Sequence, residues 1–115
     1  MELLEELKSL GVNVDEGLAR MMGKKDLYTR LLGVYVKTMG EQYVGPDFDA
    51  NDSTVVERAH SIKGTSGNMS ITPVYEAYTK IVERLRAGKP EEARALLKAI
   101  LPVQEKIIAC IKRYR

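Results

Sequence analysis

Tryptophan is absent from this 115-residue chain, and phenylalanine, cysteine and histidine occur once each. A core must therefore come from Leu, Ile, Val, Met and Ala. The lone Cys110 excludes an intramolecular disulfide and fits a reducing compartment. One histidine and one distant cysteine do not make a ligand set, so no metal site is expected. No apolar run approaches the roughly 20 residues that cross a bilayer. The opening Met1-Glu-Leu-Leu-Glu-Glu6 is acidic and amphipathic, unlike a signal peptide. The expectation is a cytoplasmic protein with no membrane partner. Charge of one sign is not in excess either: eighteen basic and sixteen acidic residues leave a formal +2. That balance argues against a dedicated nucleic-acid binder. Lys112, Arg113 and Arg115 then read as cations complementing a helix C-terminus.

What is present has helical period almost throughout, and no segment reads as a strand. Leu3, Leu4, Leu7 and Leu10 mark a short amphipathic helix that Gly11 ends. Asp15 is placed to cap a second short helix through Met21 and Met22, closed by Gly23. A longer helix is expected over 24–43, with Leu27, Leu31, Val34, Tyr35 and Thr38 on one stripe. Gly45, Pro46, Asp47 and Asp49 form a loop. Thr54 and Glu57 have capping-box spacing, with Asp52 or Ser53 as other caps, before a helix that fades near Asn68. Thr72-Pro73 starts the next, with threonine as cap, and it stops at Gly88. Pro90, Glu91 and Glu92 open the last, which Pro102 should kink or interrupt. Length and pattern predict one domain over 1–115: all-α, an antiparallel four-helix bundle with one or two short extra N-terminal helices. A bundle alone implies no function.

The informative stretch is Ala59-His-Ser-Ile-Lys-Gly-Thr-Ser-Gly-Asn68. At ~100° per residue, Val55, Ala59, Ile62, Ser66 and Met69 share one arc, the expected buried stripe. His60, Lys63, Gly64 and Gly67 form a second arc roughly opposite, and Val56 falls with them as an apolar docking contact. A glycine inside a helix costs up to ~1 kcal/mol relative to alanine. On a solvated face nothing within the domain offsets that, so close approach by a partner is the expected reason. Gly67 has an alternative reading: with Asn68 it could mark the end of the helix. Cys110 lies on an apolar pattern with Ile107, Ile108 and Ile111, and Tyr28, Tyr35 and Tyr78 read as core or rim residues.

A neutral imidazole offers a free ring nitrogen near pH 7 and can attack phosphorus without a strong base. Phosphoryl transfer asks mainly for positioning and for cations near the equatorial oxygens, and Lys63 stands one turn from His60. The chain has no glycine-rich nucleotide loop of the Walker type. It is therefore not expected to take phosphate from ATP alone, or to be a complete enzyme.

His60-Ser61-Ile62-Lys63-Gly64-Thr65-Ser66-Gly67-Asn68 resembles the motif of the histidine-containing phosphotransfer (HPt) domain of two-component phosphorelays. Gly11-Val-Asn-Val-Asp15, Gly17-Leu18, Leu27-Tyr28 and Leu31-Leu32 look like that family's first helices, and Val82-Glu-Arg-Leu-Arg-Ala-Gly88 like a later segment. Ser70-Ile71 and Pro73 depart from it, beyond the motif helix. The resemblance implies a cytoplasmic phosphocarrier that accepts phosphate on His60 from a receiver-domain phospho-aspartate and passes it to another. It implies response-regulator receiver domains and a sensor or hybrid histidine kinase as partners. The carrier would need no cofactor, the magnesium residing on the receiver. A monomer is expected, since the His60 face must stay accessible, and Met1 before an amphipathic helix leans towards a free-standing carrier. Two rivals remain. One is a module that sequesters a response regulator without carrying phosphate. The other is a dimeric histidine-kinase bundle, whose motif typically has an acidic residue after histidine, where Ser61 stands here.

Overall fold

The computed structural model describes residues 2–114; Met1 and Arg115, which figured in the expectations above, lie outside them. Six helices follow one another: α1 Leu3–Ser9, α2 Val14–Arg20, α3 Lys25–Glu41, α4 Thr54–Asn68, α5 Thr72–Arg86 and α6 Pro90–Arg113. The fold is an all-α bundle, with α3 to α6 as its four long helices and α1 and α2 as short additions. Among the described residues there is no strand, and no helix is long and apolar enough to cross a membrane.

Neighbouring long helices run antiparallel, and buried phenols tie them together. The Tyr28 hydroxyl donates to the Met69 carbonyl at 2.9 Å, and the Tyr35 hydroxyl lies 3.0 Å from Ser66 Oγ, joining α3 to α4. Tyr78 donates to Gln104 Oε1 at 2.7 Å, joining α5 to α6. All three tyrosines are buried, as are Ser66 and Gln104. A phenol inside an apolar core is tolerable only with such a partner. Ser66→Ala should therefore strand the Tyr35 hydroxyl and destabilise the bundle by about 1–3 kcal/mol. Urea unfolding checks this; an unchanged midpoint would mean that the phenol finds another partner.

Several helix details differ from the sequence expectations. Asn13, not Asp15, caps α2, its side-chain oxygen accepting from the Glu16 amide at 3.2 Å. That helix stops at Arg20, after which Met22 and Gly23 take positive φ, 56° and 77°. The stripe expected on α3 is displaced. The buried positions are Tyr28, Leu32, Gly33, Tyr35 and Met39, while Leu27, Leu31 and Thr38 are half-buried and Val34 is exposed. Both sets have helical spacing and share Tyr35; the set that adds Tyr28, whose hydroxyl has an internal hydrogen-bond partner, is the one that turns inward. The Thr54/Glu57 capping box does not form. Asp52 Oδ1 instead accepts from both the Thr54 amide and hydroxyl, at 2.9 and 2.7 Å. Thr72 is the first residue of α5 with Ile71 before it, so Thr72 is not the cap. Pro102 does not interrupt α6, which is continuous over 24 residues. The proline faces solvent, where water can satisfy the carbonyl that loses its amide partner.

Three charged groups close the ends. Arg94 donates to the carbonyls of Pro46 and Phe48 at 3.1 and 2.7 Å and stacks 4.2 Å over the Phe48 ring, pinning the α3–α4 loop. Arg58 donates to the Tyr43 carbonyl at 2.6 Å. Arg113, in the basic last turn of α6, pairs with Glu6 of α1 and holds that carboxyl below its usual range. Cys110 is buried, and burial pushes its thiol pKa up, as for an inert core residue.

Candidate functional site

The apolar stripe expected on α4 is the buried one: Val55, Ala59, Ile62, Ser66 and Met69 all face the core. This fixes the rotation of the helix about its axis, and with it the direction of His60. His60 and Gly64 are exposed, one turn apart. The imidazole has no hydrogen bond or ion pair among the described residues, so both its ring nitrogens are open to a reactant. Lys63 is half-buried, and its ammonium likewise has no ion-pair partner among the described residues. Val56 is half-buried and packs on the edge of the core.

The two glycines of this arc have different surroundings. A Cβ built on Gly64 meets nothing within 4 Å. The domain gains nothing from glycine there, and Gly64→Ala should raise stability by about 0.5–1 kcal/mol, read as a higher urea midpoint. A lower midpoint would show that Gly64 has a packing role after all. A Cβ on Gly67 would instead lie 2.8 Å from Cδ1 of Tyr75 on α5. An aromatic ring from the neighbouring helix thus lies against the Cβ side of Gly67, which stays half-buried. Gly67 and Asn68 are also the last two residues of the helix, as the alternative reading of this pair expected. Ser70 takes the left-handed conformation at φ 58°. Its amide donates to the Gly67 carbonyl at 3.1 Å and that of Ile71 to the Ser66 carbonyl at 2.9 Å, the bond pair of a Schellman ending. The Ser70 hydroxyl donates to Glu16 at 2.8 Å, and its carbonyl accepts from the Asn13 amide at 2.9 Å, so α2 is tied to the end of α4.

These ties shape an open hollow of about 520 Å³ between α2, the last turns of α4 and the first turn of α5. Gly64, Gly67 and Tyr75 form one wall, and Glu16 and Arg20, themselves paired at 3.5 Å, stand in the other. His60 is beyond its rim, one turn up the helix from Gly64. Tyr75 and Glu16 escaped the sequence reading. For Tyr75, which meets Gly67 across the three-residue α4–α5 turn, the sequence carried no periodic signal. Glu16 carried none, since its role depends on the left-handed Ser70.

The arrangement offers an accessible nucleophilic nitrogen, a cation one turn away, and open space over the following turn. Among the described residues no group of His, Cys, Asp and Glu side chains comes together as a metal-ligand set. Comparison with known protein families, with curated proteins and with solved structures finds no match to this chain.

Proposed function

We propose that this protein is a phosphorelay carrier, in which His60 accepts a phosphoryl group from the phospho-aspartate of one receiver domain and donates it to another. The observation that carries this reading is the pairing of an exposed, uncommitted imidazole with a helix turn, at Gly64, that presents only backbone and open space. A ring nitrogen of His60 attacks phosphorus as the bond from phosphorus to the aspartate oxygen breaks, and the carboxylate leaves. The ring gives up its N–H proton to solvent. Donation reverses these bonds with a second aspartate as acceptor. Lys63 supplies positive charge towards the equatorial oxygens, and magnesium on the receiver supplies more.

The wide approach at Gly64 suits a donor that is itself a folded domain. The half-buried Leu27 and Leu31 with the exposed Val34 give α3, the helix beside α4, an apolar flank for it to rest on. One measurement tests the reading: incubate the protein with phosphorylated receiver domains and magnesium, then map the acid-labile phosphate. Label on His60 supports the relay. Label elsewhere, or receivers that bind without transferring, would favour a module that sequesters a response regulator.

A further inference from the structure

Tyr75 is one of few large hydrophobic side chains that the fold leaves exposed, at 39%. Its ring lies against Gly67, the position where a Cβ would fall 2.8 Å from Cδ1 and 3.0 Å from Cε1. Its carbonyl is satisfied by the Thr79 hydroxyl at 2.8 Å, yet its own phenol has no hydrogen-bond partner among the described residues. The ring is also a ridge between two hollows. It lines the one of about 520 Å³ beside Gly64, and a second of about 360 Å³ that runs along α5 past Thr79 and Lys80.

Position decides what could cover this ridge. Gly67 follows His60 by seven residues, about 10 Å along the helix at roughly 1.5 Å per residue. A standard protein interface covers about 800 Å² on each partner, a patch of roughly 16 Å radius. A domain centred on His60 therefore reaches Tyr75, whereas a small phosphoryl donor at His60 does not. Tyrosine, with a rigid ring and a polar tip, is among the residues that dominate interface energetics.

We infer that Tyr75 is a specificity-determining contact for the receiver domain that exchanges phosphate with His60, and that Gly67 is a positioning residue that seats its ring. This rests on the relay reading of His60. The receiver would read the ring face and the phenol from the hollow beside Gly64, and Gly67 would act through the ring that it seats.

The test compares two donors on the intact protein. One is a phosphorylated receiver domain, taken from a panel by its ability to label wild type. The other is phosphoramidate, which gives its phosphoryl group to the imidazole as its P–N bond breaks and ammonia leaves, with no protein surface involved. Tyr75→Ala and Gly67→Ala should each raise KM for the phosphorylated receiver about tenfold or more. Maximal rate should change little, and labelling by phosphoramidate should match wild type. Their double variant should be no worse than either, because both remove the same seated ring. Tyr75→Phe should recover most of the affinity. If both alanine variants keep KM within about twofold of wild type, the assignment to Tyr75 is wrong although the relay stands. Equal losses with both donors would also overturn it, by revealing damage to the helix. If wild type takes label from neither donor, or His60→Gln takes it as well, the relay reading falls and this inference with it.

Discussion

His60→Gln is expected to abolish phosphoryl acceptance completely while changing stability by no more than about 0.5 kcal/mol. The two halves of that expectation have separate causes. Glutamine keeps a polar side chain of similar reach, but its amide nitrogen has no lone pair free to attack phosphorus. The imidazole it replaces is solvent-exposed and makes no hydrogen bond or ion pair among the described residues, so the fold loses nothing by its removal. Affinity for receiver domains should stay within a few-fold, since glutamine keeps a polar side chain of similar reach and leaves the rest of the interface in place. Transfer of label and direct binding, measured on the same samples, therefore separate the two functions at issue. A carrier loses transfer and keeps binding; a sequestering module shows binding in both proteins and transfer in neither. Residual label on the variant would place the acceptor elsewhere, and the Tyr75 contact would then lose its reason as well.

The motif helix was the most legible part of the chain, and the reason is geometric. Its five apolar or small positions, Val55 to Met69, define one arc tightly enough to fix which way His60 points. On α3 the same reasoning chose wrongly, because two interleaved sets have helical spacing. Tyr35 belongs to both, and Tyr28 decides between them through Met69, 41 residues away. Long-range hydrogen bonds of that kind leave no periodic trace. At helix ends several residues in each turn can cap, and local backbone geometry selects Asn13 over Asp15 and, among the caps expected for α4, Asp52 over the Thr54/Glu57 box. Pro102 looked like an interruption because its cost depends on which side it faces, and the exposed side is the cheap one. At the candidate site, the glycines were visible but not their difference. Gly64 is open and Gly67 has the Tyr75 ring against it, a distinction that exists only once α5 has folded back onto α4.

Those same buried tyrosines set an alkaline limit on the fold, the largest stability effect expected here. Burial pushes the Tyr28 phenol from its ordinary 10 up to about 12, and it pushes Tyr35 and Tyr78 upward too, with Tyr35 close enough to Tyr78 to oppose its ionisation further. Below pH 10 all three are protonated whether the chain is folded or not, and their contribution to stability is fully present. Above pH 10 the unfolded chain releases protons that the folded chain retains. Stability then falls with rising pH, by about 1.4 kcal/mol per unit for each phenol, until the folded values are reached. By pH 12 the combined loss is of order 8 kcal/mol, comparable with the roughly 5–15 kcal/mol that holds a domain together. Tyrosinate absorbance and far-ultraviolet circular dichroism, followed together along a pH titration, check this. The three buried phenols should ionise in one step with the loss of helix, between about pH 11 and 12. Tyr28→Phe should make the pH dependence shallower by one proton, at a cost of about 1 kcal/mol near neutrality for the lost bond to Met69. Complete tyrosinate formation with the helices intact would mean that these hydroxyls are hydrated in the folded state. The clamp that they form between α3 and α4, and between α5 and α6, would then be weaker than their burial implies. The fixed rotation of α4 that turns His60 outward would have to rest on its apolar stripe alone.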